Sequence, residues 1–304
     1  MVMKSILLFL SRQEKLKNFV LGFEFAQRVS RRFVSGETQE EAIQAVKDLN
    51  RKGFIATLDR LGENVTSEEE AIKAADDYIS LLDKIQEKGI NSNVSCKLTQ
   101  MGLDLGIDFC LNNVRRIVEK AKKYKNFVRI DMEDSPRTDK TLQVCYALHK
   151  ESPDVGAVIQ SYLYRSEEDV RKLLEQKIRI RLCKGAYKEP RAVAFQKKKD
   201  VDSNFIKLMK MMLKSGIYHG IATHDDKMIK ATIEFAKKEN VGKDNFEFQF
   251  LYGIRRELQE ELVKQGYNVR IYTPYGDQWY PYFMRRMAER PANLFFVAKN
   301  FFRR

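Results

Sequence analysis

Phe54-Ile55-Ala56-Thr57, the amphipathic stretch 68–87, and then Asn93-Val94-Ser95-Cys96-Lys97-Leu98 form the unit from which the architecture follows. A short β-rich run leads into about twenty residues whose apolar positions recur at three and four, and a second β-rich run follows. That is strand, helix, strand. Further β-rich runs at 127–132, 157–162, 178–182, 218–223, 246–251 and 269–272 bring the number to eight. Helical patterns separate them at 108–123, 140–149, 167–176, 201–214, 227–238 and 254–264, and a last one carries two adjacent arginines. Eight such units without a break in composition predict an α/β fold of the closed (β/α)8 barrel type. An open doubly wound sheet is the competitor, but no G-x-G-x-x-G follows the first strand and no P-loop occurs.

Ahead of the barrel, Phe19, Phe23, Phe25, Ala26, Ala42, Ile43, Val46 and Leu49 recur at helical spacing. Residues 1–50 therefore read as a helical preface packed on the barrel, and 51–304 as the catalytic barrel with its C-terminal tail.

The chain has 304 residues, 43% hydrophobic and 32% charged, which is the composition of a globular protein with a sizeable core. Its net charge of +13 is spread over lysines on helical stretches, where solvated faces explain it. No zinc, helix-turn-helix or aromatic-basic RNA motif accompanies the charge, so nucleic acid is not an expected partner. Cys96, Cys110, Cys145 and Cys183 form no C-x-x-C pair, which points to a reduced, cytoplasmic compartment. The three histidines, His149, His219 and His224, make no metal-ligand spacing, and no catalytic metal is expected. The apolar run 6–10 is too short for a signal core or a membrane span.

In a barrel of this type chemistry gathers at the carboxyl ends of the strands. The second run ends in Lys97, the third in Asp131, the fourth carries Gln160, and the fifth carries Arg181 with Lys184-Gly185-Ala186-Tyr187 beyond it. The sixth ends in Thr223-His224, the seventh carries Gln249, and the eighth delivers Tyr272. Taken singly, Lys97 could be a surface residue, Asp131 a helix cap and His224 a satisfied core histidine. Together they form a polar rim suited to a large polar cofactor, because buried charge is costly unless paired or used.

After Tyr272-Thr273-Pro274-Tyr275-Gly276 comes Tyr282-Phe283-Met284-Arg285-Arg286-Met287-Ala288-Glu289-Arg290. Tyr282, Arg285, Arg286 and Glu289 share about a 100° arc of one helix face. Two arginines and one glutamate leave a positive charge that a small carboxylate would complete. An isolated R-R-x-x-E also suits a solvated helix with surface ion pairs. Phenols at 187, 272, 275 and 282 would supply an apolar lid that excludes water. For Tyr275 and Tyr280 ordinary packing is the simpler account.

Tyr282-x-x-Arg285-Arg286-x-x-Glu289-Arg290 resembles the Y-x-x-R-R-x-x-E-R signature of the proline dehydrogenase family, flavin enzymes of proline catabolism, in their monofunctional bacterial form. Val94-Ser95-Cys96-Lys97-Leu98, Arg129-Ile130-Asp131-Met132-Glu133, Arg181-Leu182-Cys183-Lys184-Gly185-Ala186-Tyr187, Ala222-Thr223-His224, Phe248-Gln249-Phe250-Leu251-Tyr252-Gly253 and Arg270-Ile271-Tyr272-Thr273-Pro274-Tyr275-Gly276 support it in family order. The resemblance implies a distorted (β/α)8 barrel that holds FAD non-covalently, with the last helix over the mouth. It implies oxidation of L-proline to Δ1-pyrroline-5-carboxylate. By similarity Lys97, Arg285 and Arg286 would bind the proline carboxylate, Glu289 would orient the arginines, and Tyr187, Leu251, Tyr272 and Tyr282 would pack around the ring. Asp131, Met132, Gln160, Arg181, Lys184, Gly185, Ala186, Thr223, His224 and Gln249 would contact FAD. Asp131 and Arg181 are the catalytic candidates, Arg181 beside the flavin's reactive nitrogen.

These roles agree with the chemistry. Binding the remote carboxylate orients the ring, and a planar arginine pair fixes that orientation better than a lysine. A cation at Arg181 would stabilise negative charge on the reduced cofactor. Asp131 is a candidate base for the substrate amine, or a structural partner of Arg181. The resemblance also implies a membrane quinone as electron acceptor and suggests Δ1-pyrroline-5-carboxylate dehydrogenase as a partner. The basic charge and the tail Phe295-Phe296-Val297-Ala298-Lys299-Asn300-Phe301-Phe302-Arg303-Arg304 suit peripheral contact with the inner face of the cell membrane, or else packing on the barrel. Two other readings are an aldolase-like site with Lys97 or Lys184 as Schiff-base lysine, and a basic nucleic-acid-binding module.

Overall fold

In the computed structural model residues 31–289 are described, with side chains described as far as Met284. Most of the helical preface, the tail from 290 onward, and the side chains of Arg285, Arg286 and Glu289 lie outside the described residues.

Eight strands, β1 (Ile55–Arg60), β2 (Ser92–Lys97), β3 (Val128–Asp131), β4 (Val155–Gln160), β5 (Ile180–Cys183), β6 (His219–Ala222), β7 (Phe246–Leu251) and β8 (Asn268–Tyr275), pair in parallel and in chain order. β8 closes on β1. A helix α1 (Gln39–Arg51) precedes the barrel and packs against β1 and β8. Between strands lie α2 (Glu68–Lys88), α3 (Ile107–Lys123), α4 (Thr138–Glu151), α5 (Ser166–Glu175), α6 (Lys198–Lys214), α7 (Asp226–Lys238) and α8 (Arg256–Lys264), and α9 (Trp279–Glu289) follows β8. This is the (β/α)8 barrel predicted above.

Local chemistry sets the boundaries. Thr38 and Glu41 close a reciprocal capping box at the start of α1, and Ser67 caps α2 by accepting from the Glu70 amide. On α3 a buried stripe of Cys110, Val114, Ile117, Val118 and Ala121 faces the sheet, while Lys122 and Lys123 face water.

The apolar core lies outside the strands, between sheet and helices, and the barrel's interior is polar. On β7, Phe246, Phe248 and Phe250 point out to the helix layer, while Glu247 and Gln249 reach polar partners inside the barrel. Arg129 and Asp131 on β3, Ser95 and Lys97 on β2, and Arg270 and Tyr272 on β8 follow the same two-residue period.

β1 runs past the expected end at Thr57 to Arg60, because two residues that look like loop are paired. Asp59 is buried against Lys97, and Arg60 meets Asp77 at 2.8 Å. A satellite cluster of Phe33, Val34, Leu61, Ile254, Trp279, Tyr282 and Phe283, with Leu251 against it, seats α9 beside the carboxyl ends of β1 and β7. Pro281 lies in the first turn of α9, where a missing amide proton leaves no bond unmade. No helix among the described residues is long and apolar enough to cross a membrane.

Candidate active site

The carboxyl ends of the strands bring the rim residues into one connected network. Register places Lys97 beside Asp131 across β2 and β3. Asp131 Oδ1 accepts from Arg181 Nη1 at 2.7 Å and from the Ser95 hydroxyl at 2.5 Å, while Oδ2 accepts from the Tyr272 hydroxyl at 2.8 Å. Arg181 Nε donates to Gln249 Oε1 at 2.6 Å, and its guanidinium lies 5.0 Å from the centroid of the Tyr272 ring. Lys97 Nζ donates to both oxygens of Asp59 at 3.1 and 3.0 Å.

Electrostatics assign the protons. Burial alone would pull the Lys97 ammonium down, but Asp59 and then Asp131 hold it above the usual lysine range. Burial raises the Asp59 carboxyl, with Lys97 opposing it. Burial, then Asp131, pushes the Tyr272 phenol well above its ordinary range, so it stays a donor. Lys97 sits beside a cavity of about 460 Å³ that extends past Arg60, Glu63 and Gln100 to Asp277 and Pro281 near the start of α9. Tyr187 lies in the neighbourhood of Lys97. Leu251 and Tyr282 share the cluster that seats α9.

Beyond β5 the chain passes through Gly185, whose φ of +116° lies outside the reach of most side chains. A Cβ there would lie 2.4 Å from the Tyr162 ring. Gln160 Oε1 accepts from the Ala186 amide at 3.2 Å, and Gln160 Nε2 donates to the Glu133 carbonyl at 2.8 Å, beside Met132. Lys184 bonds Asp225 at 2.6 Å and also Asp202, and the Thr223 hydroxyl accepts from the Asp225 amide at 3.1 Å. His224 Nε2 accepts from the Leu251 amide at 3.0 Å, which puts the proton of its neutral ring on Nδ1. Both candidate Schiff-base lysines are thus tied to carboxylates, Lys97 with its proton held, which is unfavourable for an amine nucleophile.

Asp59 is the residue that sequence reasoning passed over. Its period-two relation to Thr57 on the same strand was the available signal. Ser95, which holds Asp131, and Glu189, which accepts from the Ser135 amide at 2.7 Å and steadies the loop after Gly185, were likewise unflagged. Among the described residues no cluster of His, Cys, Asp and Glu is arranged to hold a metal.

A family model described as proline dehydrogenase matches residues 42–299. The chain is 45% identical over 298 residues to proline dehydrogenase 1 of Bacillus subtilis, covering 98% of each chain. To the proline dehydrogenase of Deinococcus radiodurans it is 46% identical over 276 residues, 89% of each. Among solved structures it is similar to proline utilization A (PutA) from Bdellovibrio bacteriovorus inactivated by N-propargylglycine, with a TM-score of 0.82 and 26% identity. That match covers 87% of this chain and 33% of that protein. A match covering most of the described barrel and extending through the arginine motif leaves one conclusion: the chain belongs to the proline dehydrogenase family.

Proposed function

We propose that the carboxyl mouth of the barrel holds FAD non-covalently, and that the chain oxidises L-proline there to Δ1-pyrroline-5-carboxylate, the first step of proline breakdown. The observation that carries this reading is Arg181. Its Nη2 is buried without a hydrogen-bond partner among the described residues, although Nε and Nη1 are both satisfied. A buried guanidinium nitrogen of this kind calls for an acceptor beyond the described residues, which a bound cofactor would supply. Gly185, with the Tyr162 ring packed where a Cβ would stand, and Ala186, held by Gln160, give this passage small residues on a fixed backbone, which suits a large polar group lying against it. The residues therefore fit the cofactor, which when bound supplies the two-electron acceptor for the oxidation.

The chain's own residues do the positioning. Lys97, held protonated by Asp59, supplies one cation for the substrate carboxylate. Arg285 and Arg286 supply the planar pair, with Glu289 bracing them from the next turn. Tyr187, Leu251, Tyr272 and Tyr282 pack around the ring and exclude water. Arg181 donates to Gln249 on one side and to Asp131 on the other, which fixes the guanidinium, and its charge favours negative charge developing next to it. Asp131 already accepts from Arg181, Ser95 and Tyr272. We assign it the role of holding Arg181 and Tyr272 rather than that of the base.

The purified protein is expected to be yellow, and anaerobic L-proline to bleach its flavin bands; with Arg285→Ala and Arg286→Ala together, the bands should stay. A protein that remains colourless after reconstitution with FAD would overturn the assignment. The proposed electron acceptor is a membrane quinone, reached from the inner face of the membrane with help from the basic aromatic tail. Deleting 299–304 should weaken liposome binding and leave flavin content intact; equal liposome binding would rule the tail out. Transfer of the product to Δ1-pyrroline-5-carboxylate dehydrogenase is a further proposal, testable by a shortened lag in the coupled assay with that enzyme.

A further inference from the structure

The opposite end of the barrel carries a second polar cavity, of about 160 Å³, that the reaction does not use. Residues at or just before the amino ends of β2, β3, β5, β6, β7 and β8 wall it, among them Lys125, Phe127, Arg129, Arg179, Glu247 and Arg270. Four of those six are cations and one is an acid.

The acid is already taken. Glu247 Oε1 accepts from Arg270 Nε at 2.7 Å, and Oε2 accepts from the Tyr218 hydroxyl at 2.9 Å. Arg129, Arg179 and Lys125 face no carboxylate at ion-pair distance among the described residues. Arg129 is 4% exposed; its Nη1 donates to the carbonyls of Ala157 and Arg179, and its Nε is buried with no partner. The guanidiniums of Arg129 and Arg179 lie 4.6 and 5.3 Å from the centroid of one ring, Phe127. Gly156 makes room for this arrangement, since a Cβ there would lie 2.6 Å from Arg129 Nη1.

The field at this end is positive. Burial lowers the Arg129 guanidinium to about 9, with Arg181 and Arg270 adding to the effect. Burial, then Arg129 and Arg179, lowers nearby His219 to about 3. Glu247 and Asp131 offset only part of this, and a buried cation with no ion pair of its own, next to other cations, is unfavourable until an anion joins it.

We propose that this cavity binds a compact oxyanion, inorganic phosphate or a short dicarboxylate, between Arg129, Arg179 and Lys125. Larger anions do not suit it, because sites for nucleotide-sized ligands run to about 300 Å³ and more. Such a ligand would neutralise the base of the barrel and stabilise the folded state alone.

The test uses FAD-saturated protein with its flavin absorbance monitored, so that exchange at the catalytic mouth is seen separately. Sodium phosphate or sodium succinate is titrated against sodium chloride at matched ionic strength, and Tm is read. The expected result is a saturable rise of about 2 °C or more over chloride with at least one of them. Which anion acts identifies its class. In Arg179→Gln with Lys125→Gln, both exposed positions, the rise should vanish while kcat and KM for L-proline stay within about twofold. The phosphorus-31 linewidth of free phosphate gives a second readout that needs no unfolding. No saturable rise with either anion in the unsubstituted protein, or an equal rise in the double variant, would overturn the proposal.

Discussion

Lys97 Nζ sits 3.1 and 3.0 Å from the two carboxylate oxygens of Asp59, a residue 1% exposed at the end of the neighbouring strand. Burial would otherwise favour the neutral form of a lysine at the rim, and this pair keeps it charged, as its proposed role toward the substrate carboxylate requires. Replacing Asp59 by Asn removes the partner and leaves the lysine in place. KM for L-proline should rise about tenfold or more, with a smaller change in kcat and unchanged flavin content. Tm should also fall, since breaking a buried pair costs about 3–5 kcal/mol. Steady-state kinetics beside the flavin spectrum check this, and an unchanged KM would remove Asp59 from the site.

Gly185→Ala tests the passage after β5. The added methyl meets the Tyr162 ring at 2.4 Å on a backbone at φ +116°, so the loop must shift. The strain is about 1–3 kcal/mol, and the expected outcome is protein purified with much less than one flavin but with an unchanged far-ultraviolet spectrum. Full flavin occupancy would show that the loop tolerates the shift.

His219 gives a pH signature at the other end of the barrel. Its Nδ1 accepts from the Ile180 amide at 3.0 Å and its Nε2 meets the Ser215 hydroxyl at 3.0 Å, so the folded protein holds it neutral, with its pKa lowered to about 3. The unfolded chain takes up that proton near pH 6.5, so its contribution is full above that pH and is lost as pH falls toward 3. His219→Gln should be less stable at pH 7.5, and its deficit should shrink by up to about 1.4 kcal/mol per unit of pH below 6.5. Denaturant unfolding of both proteins at several pH values measures it; parallel curves would refute it.

Trp279 anchors α9: it is 2% exposed, packs on Phe283 at a centroid distance of 6.0 Å, and its Nε1 donates to Glu37 at 3.1 Å. Trp279→Ala should loosen the arginine-bearing helix at an expense of about 3–5 kcal/mol. Flavin should remain bound while KM for L-proline rises several-fold. Equal KM values would mean that the satellite cluster does not position the arginines.

The sequence alone was enough for the barrel, because parallel strands buried on both faces and helices with one apolar stripe each leave a period that local chemistry dictates. Seven of the eight strand-end positions were legible for a related reason. Lys97, Asp131, Arg181, Gln249 and Tyr272 are polar side chains in apolar runs, and such residues are rarely left idle in a core. The start of α9 could not be read, since Pro281 among aromatics suits a turn as well as a first helical turn until Phe33 and Leu61 are packed against it. Tertiary structure alone supplied the pairings. Asp59 lies 38 residues from Lys97, and Arg181 lies 50 from Asp131 and 68 from Gln249. Whether a charge is a solvated end or a buried partner depends on which strand closure brings beside it, and no local pattern carries that information.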